Sequence, residues 1–276
     1  MRLPRKDRTR EAADANERTA ADDGPLPVDW QGLPLDCKTC DVRDRHAGVL
    51  CLLSHACVRD RYALRIDRFF RWNARLSHAW LAHPYFEVRA IATRFASVFR
   101  LTAMASDPDE TVRSVVAERA PQRLLRQMVN DPHREVRIRV AQRLEPTALF
   151  ALVTDFDYGV RTWVARRAPQ SILLQMSRDP DPQVRIEVAR RLSPAALHTL
   201  ADDEDLAVRR VVATRAGSDL LGSLSHDPCW EVRWEVAQRA SQRLAERLTG
   251  DDEDEVRVAA RGRLAELRSE GTPPPR

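Results

Sequence analysis

Residues 107–130 read Asp-Pro-Asp-Glu-Thr-Val-Arg-Ser-Val-Val-Ala-Glu-Arg-Ala-Pro-Gln-Arg-Leu-Leu-Arg-Gln-Met-Val-Asn, and this 24-residue pattern returns along most of the chain. Asp107, Asp131, Asp155, Asp179, Asp203, Asp227 and Asp251 open successive copies, with His83 opening an earlier one. Position six is valine from Val88 to Val256, and position seven is arginine from Arg89 to Arg257. A second arginine recurs at position thirteen, from Arg119 to Arg263. Eight copies in one register, at a fixed period of this size, mean stacked repeats.

Within one copy, Asp107 has the chemistry to cap a helix, with Pro108 at the first helical position, where a missing N–H costs nothing. Val112, Val115, Val116 and Ala120 follow at helical spacing, and Pro121 ends that helix or starts the next. Leu124, Leu125 and Met128 form a second short helix, for which the tighter 3₁₀ form is open. No stretch alternates with period two, so no sheet is expected. Helices this short are marginal alone, and each copy must bury its valine and leucine face against the next. The arginine columns then need acidic partners, which Asp at position one and the acids near positions three to five supply. A structural Asp–Arg ladder between copies is expected; phosphate binding along the column is the competing reading, and the nearby carboxylates oppose it.

Outward from the array, residues 1–30 carry six basic and seven acidic side chains with few periodic apolar positions. They are expected to be a disordered N-terminal segment. A four-cysteine region with its linking helix occupies 31–82, the repeats occupy 83–270, and 271–276 form a frayed tail. Residues 59–82 read as one amphipathic helix or two shorter ones, with Tyr62, Leu64, Ile66, Phe69, Phe70, Trp72, Leu76 and Trp80 on the apolar side. Nine of the 16 aromatic residues lie between Tyr62 and Phe99, which predicts an apolar joint between the cysteine region and the first repeats. The last copy opens with five consecutive acids, Asp251 to Glu255, and suits a solvated cap.

The 276 residues include 45 Lys or Arg and 41 Asp or Glu, a net charge of +4. Only Lys6 and Lys38 are lysines, so the arginine excess reads partly as codon usage and does not by itself indicate nucleic acid. Residues 59–106 hold nine arginines against three acids, while 251–270 hold four against seven. Such asymmetry can steer an acidic partner toward the cysteine region. No nucleotide-binding glycine loop is present. No run approaches the roughly 18 apolar residues of a membrane helix, and the first residues lack the apolar core of a secretory signal. The expected compartment is the cytoplasm, where thiols stay reduced.

In that setting Cys37, Cys40, Cys51 and Cys57, spaced by two, ten and five residues, argue for metal or iron–sulfur ligation rather than disulfides. Four thiolates suit tetrahedral zinc or an iron–sulfur cluster, and spacing alone leaves both open. His46 and His55 lie in the same segment, but four cysteines already complete a site, so an outer or surface role is expected for both. Cys229, at a variable repeat position, reads as an incidental thiol.

The run Cys37-Lys-Thr-Cys40, then Gly48-Val-Leu-Cys51-Leu-Leu-Ser-His-Ala-Cys57, followed by copies of Asp-Pro-x-x-x-Val-Arg-x-x-Val-Ala-x-Arg, resembles the leucine-rich repeat variant proteins. That resemblance spans roughly 31–270. It implies an all-α, right-handed solenoid of 24-residue repeats, alternating α-helices with short or 3₁₀ helices, behind a small N-terminal four-cysteine domain. It further implies a 4Fe–4S cluster, with Cys37, Cys40, Cys51 and Cys57 each binding one iron, and a supporting role in nitrogen fixation. With every iron held by a thiolate, none stays open for substrate, so the expected protein is non-enzymatic. Its expected partner is another protein, a redox protein among the candidates. Two alternatives differ in a testable way: a zinc-stabilised adaptor, and a nucleic-acid-binding helical-repeat protein. The latter is disfavoured by a cysteine spacing unlike that of cluster-bearing glycosylases and by the lack of a regular aromatic column for stacking bases.

Overall fold

The computed structural model describes residues 24–270, and the expectations for 1–23 and for the tail 271–276 lie outside the described residues. Every regular element among them is helical; the only β features are isolated bridges pairing Val28 with Pro34, Asp29 with Asp60, and Leu52 with Ala56. No described helix is long and apolar enough to cross a membrane. The chain divides into two compact units, Met1–Arg143 and Leu144–Arg276.

In the first unit a single turn, α1 (Val42–Arg45), precedes α2 (Ala63–Trp72) and a 3₁₀ helix at Ala74–Trp80. The amphipathic stretch is therefore two helices, broken at Asn73. The first repeat follows as α3 (Phe86–Phe95) and α4 (Val98–Met104). Ile66, Phe69 and Phe70 of α2 are fully buried, and they share one core with Val42, Val58 and the repeat residues Val88, Ile91 and Ala92. Phe69 meets Trp80 edge-on at 6.5 Å and Phe70 stacks on Phe95 at 6.0 Å, which forms the expected aromatic joint. Phe99, 94% exposed, takes no part in it. The folded region also begins before residue 31. The Pro25 carbonyl accepts from the Arg65 guanidinium at 2.8 Å, and the Val28 carbonyl accepts from the Arg61 N–H at 3.0 Å. The segment 24–30 is thus held by its backbone, through bonds that its polar composition does not reveal.

In every repeat before the last, the first helix is a ten-residue α-helix, as at Glu110–Arg119 and Arg134–Arg143 in the first unit. In the second unit the corresponding helices are Tyr158–Arg167, Pro182–Arg191, Leu206–Arg215 and Trp230–Arg239. The position-six valines Val112, Val136, Val160, Val184, Val208, Val232 and Val256 are all fully buried. Each such side chain is worth about 1.5–3 kcal/mol relative to exposure. The second helix is α at Gln122–Gln127, Gln170–Met176, Ser218–Leu224 and Gln242–Leu248, and 3₁₀ at Pro146–Leu152 and Pro194–Leu200. The 3₁₀ form occurs where position fourteen carries a buried leucine, Leu144 or Leu192, and proline starts the helix. One continuous helix, Asp254–Glu270, replaces both elements in the final copy.

The aspartate at position one does not cap the helix. Capping falls to position three: Asp109, Asp157, Asp181 and Asp205 accept from the N–H groups of Thr111, Gly159, Gln183 and Ala207. Asp107 instead accepts the Asp109 N–H at 2.9 Å, so Pro108 sits in a turn ahead of the helix. Its carboxylate is claimed by the preceding copy: Arg89 grips it through Nε and Nη2, both at 2.8 Å. The same fork joins Arg113 to Asp131 in the first unit. In the second it joins Arg161 to Asp179, Arg185 to Asp203, Arg209 to Asp227 and Arg233 to Asp251. The remaining nitrogen of each guanidinium donates to carbonyls at the start of its own copy, as Arg113 Nη1 does to Asp107 at 2.8 Å. The position-thirteen arginines reach the last carbonyls of the preceding copy's first helix. Arg191 donates to Ala165 and Ala168, both at 2.9 Å. Both columns are therefore structural, the named arginines being held by a carboxylate or by backbone carbonyls.

Candidate metal centre

Cys37 and Cys40 stand on a turn that Asp36 organises, its carboxylate accepting the Lys38 N–H at 2.9 Å. Cys37 is exposed and Cys40 half-buried. The chain then enters α1, whose Val42 is inserted in the core. Between Cys51 and Cys57 the five intervening residues close on themselves. Leu52 and Ala56 exchange N–H···O bonds of 2.9 and 2.8 Å, with Ser54 at φ 62° on the tip. This tight turn sets Cys51 and Cys57 at the two feet of one loop, which a count of residues does not disclose.

Two polar anchors fix that loop. Asn73, which breaks the helix after Trp72, is buried and pairs with Leu50 in both directions. Its Oδ1 accepts the Leu50 N–H at 2.9 Å, and its Nδ2 donates to the Leu50 carbonyl at 2.6 Å and to the Phe69 carbonyl at 2.8 Å. On the other side Cys57 donates its N–H to the Arg65 carbonyl at 3.1 Å. Arg65 and Asp60 form a completely buried ion pair of 2.9 Å three residues beyond Cys57. A signal for both anchors was present in the sequence: an asparagine and an arginine interrupt an otherwise apolar helical face.

The four thiols are electrostatically linked. Burial, then the charges on Cys51 and Cys40, push the Cys37 thiol above its ordinary value, and Arg43 partly offsets them. Burial pushes Cys57 up to about 11, against the backbone N–H groups of Arg59 and Asp60, with Asp60 and Cys40 adding to the rise. Cys40 and Cys51 also pack against the shared core. Arg43 donates from Nε to the Cys51 sulfur at 3.4 Å and from Nη2 to the Cys51 carbonyl at 3.2 Å.

Both histidines lie against aromatic rings. His46 lies 6.4 Å from the Trp80 ring, and His55 lies 5.5 Å from Trp72 with its Nδ1 at 3.2 Å from Arg68. Cys229 is remote in sequence, in the second unit, where its sulfur faces Arg209 at 3.3 Å. Among the described residues no three or more Cys, His, Asp or Glu side chains converge closely enough to hold one metal ion. A single zinc would require sulfurs at about 2.3 Å from one point. A four-iron cube spreads its thiolates over a wider footprint, and an all-sulfur donor set is the chemistry it requires. On donor chemistry the quartet fits such a cluster.

Known proteins resemble both parts of the chain. Residues 27–79 match the family described as LRV protein FeS4 cluster, and residues 158–181 match the family described as leucine rich repeat variant. A curated protein of Rhodobacter capsulatus, named as an uncharacterized 27.7 kDa protein in the nifB 3' region, is 46% identical over 99 residues. The match spans 36% of this chain and 40% of that protein. A solved structure described as a leucine-rich repeat variant with a novel repetitive protein structural motif superposes with a TM-score of 0.78 at 41% identity. That superposition covers 83% of this chain and 99% of the other. From its repeats, its cysteine region and this similarity, the chain belongs to the leucine-rich repeat variant family, in the form that carries an N-terminal iron–sulfur cluster domain.

Proposed function

We propose that the protein is a non-enzymatic iron–sulfur scaffold, in which Cys37, Cys40, Cys51 and Cys57 hold a 4Fe–4S cluster and the repeats bind a protein partner. The observation that carries this reading is the packing of Cys40 and Cys51, one from each cysteine pair, against one core that also contains residues of the first repeat. When bound, such a cluster supplies one-electron exchange. The chain's own residues keep it dry and oriented. Phe69 and Trp80 pack beside the cysteine region and limit water, and Asn73 fixes the backbone entering Cys51. With all four thiolates engaged, no iron is left for a substrate. The surplus of nine arginines over three acids in residues 59–106 favours an acidic redox protein as the partner. The place of the Rhodobacter relative, in the nifB 3' region by its name, supports a role alongside nitrogen fixation, and the reducing cytoplasm is the compartment that suits unpaired thiols.

Anaerobic purification with metal and sulfide analysis tests the reading. The expected product is brown, with about four irons and four sulfides per chain. Its optical and EPR spectra are expected to change on dithionite reduction. Stoichiometric zinc in a colourless anaerobic product would refute it in favour of a zinc-stabilised adaptor.

A further inference from the structure

We propose that Arg43 is a positioning residue that tunes the cluster: by hydrogen-bonding the sulfur of Cys51 it raises the cluster's reduction potential and slows iron loss from that corner. The inference rests on reading the cysteine quartet as a cluster site.

Arg43 occupies the second residue of α1, directly after Val42, whose burial pins that turn to the core. Although exposed, its guanidinium is held at two points of the same residue, the Cys51 sulfur at 3.4 Å and the Cys51 carbonyl at 3.2 Å. The side chain thus bridges the loop of the first cysteine pair to that of the second. The neighbouring Asp41 is committed elsewhere: it pairs with Arg45 at 2.7 Å and lies 3.7 Å from Arg59. Among the described residues Arg43 has no carboxylate partner, so its charge faces sulfur uncompensated. Cys37 and Cys40 also lie within its electrostatic reach.

Reduction moves one electron from an external one-electron donor, such as dithionite, onto the cluster. No bond breaks and no proton moves. The added negative charge spreads onto the thiolate sulfurs, where an N–H donor and a positive charge stabilise the reduced form more than the oxidised one. Hydrogen bonds to sulfur and nearby charge are established determinants of cluster potential.

The test uses the full chain loaded anaerobically, as wild type and as Arg43→Gln, Arg43→Lys and Arg45→Gln. Reduction potential is read by EPR-monitored titration, and cluster stability by the rate of iron release to a ferrous chelator. Arg43→Gln is expected to shift the potential downward and release iron several-fold faster, with Arg43→Lys between it and wild type. Arg45→Gln removes the same charge from the same turn without touching a cysteine; it also releases Asp41 from its ion pair, so a downward shift clearly smaller than that of Arg43→Gln is expected. If the glutamine variant retains no iron, the lysine variant carries the same comparison. An unchanged potential in Arg43→Gln, or an equal shift in Arg45→Gln, overturns the inference while leaving the cluster reading intact. Wild-type protein lacking iron and sulfide overturns both.

Discussion

Arg185→Leu tests whether the arginine column is structural, and the size of its effect follows from the geometry. Arg185 and Asp203 expose 7% and 6% of their side chains, so neither is well solvated. The guanidinium donates to both carboxylate oxygens of Asp203, at 2.8 and 2.9 Å, and to the carbonyls of Asp179 at 2.8 Å and Pro180 at 3.3 Å. Leucine removes every one of these bonds and leaves Asp203 with the Asp205 N–H as its remaining named donor. Summing four charge-assisted bonds at about 1.5–3 kcal/mol each overshoots, because the arginine's own desolvation is relieved and water reaches part of the gap. The measured loss on breaking comparable buried pairs, about 3–5 kcal/mol, is the better guide. The exposed pair Arg45–Asp41, at 73% and 44% exposure, is the internal control and should contribute no more than about 1 kcal/mol. Urea denaturation followed by circular dichroism measures both, and hydrogen exchange locates the opening. Because stacked repeats couple mainly to their neighbours, protection should fall first around residues 179–205. A loss under about 1 kcal/mol for Arg185→Leu would show that the column is not what joins the copies.

Further expectations concern the cysteine region and the array's end. Asn73→Ala leaves the Leu50 N–H and carbonyl without their partner and should cost about 2–3 kcal/mol, measured by thermal or chemical denaturation. Phe70→Ala empties a fully buried site in the shared core, and about 3–5 kcal/mol is expected by the same assay. Arg233 holds the Asp251 carboxyl below its ordinary value of 3.8, so this pair stabilises the fold above that value and loses its effect as pH falls below it. Acid titration with hydrogen exchange should therefore show this contact weakening below about pH 4, and an Asp251→Asn variant should lose that acid-dependent component. In metal-free protein Cys57, raised by burial to about 11, should react with iodoacetamide at pH 8 far more slowly than exposed Cys37; equal rates by mass spectrometry would contradict the burial.

The repeat array was legible because its constraint is periodic. A valine buried in every copy and an arginine beside it must recur at the period of the stack, so stacked short helices follow from the spacing, whereas the handedness of the solenoid does not. The role of Asp107 was not legible. An Asp-Pro pair ahead of a helix reads locally as a cap, but the carboxylate answers to Arg89, a residue 18 positions upstream in the preceding copy. Local chemistry proposed one use of the side chain, and the stack imposed another. Asp109 inherits the capping role because it stands next to the helix with no competing partner across the interface.

The cysteine region shows the same principle without periodicity to reveal it. Four thiols announce themselves by type, yet what brings Cys51 beside Arg43 is a backbone turn, an asparagine at a helix break and a buried ion pair. None of these leaves a spacing rule. The segment is also too small to build its own core, since domains below about 40 residues generally need a metal, a disulfide or a partner. It borrows Val88, Ile91 and Ala92 from the first repeat, and that repeat in turn buries its outer face against Phe69 and Phe70. Cysteine region and first repeat therefore stabilise one another. On the cluster reading, the energy of cluster binding is shared with the end of the array, so loss of the inorganic centre weakens the first repeat as well as the loops that hold it.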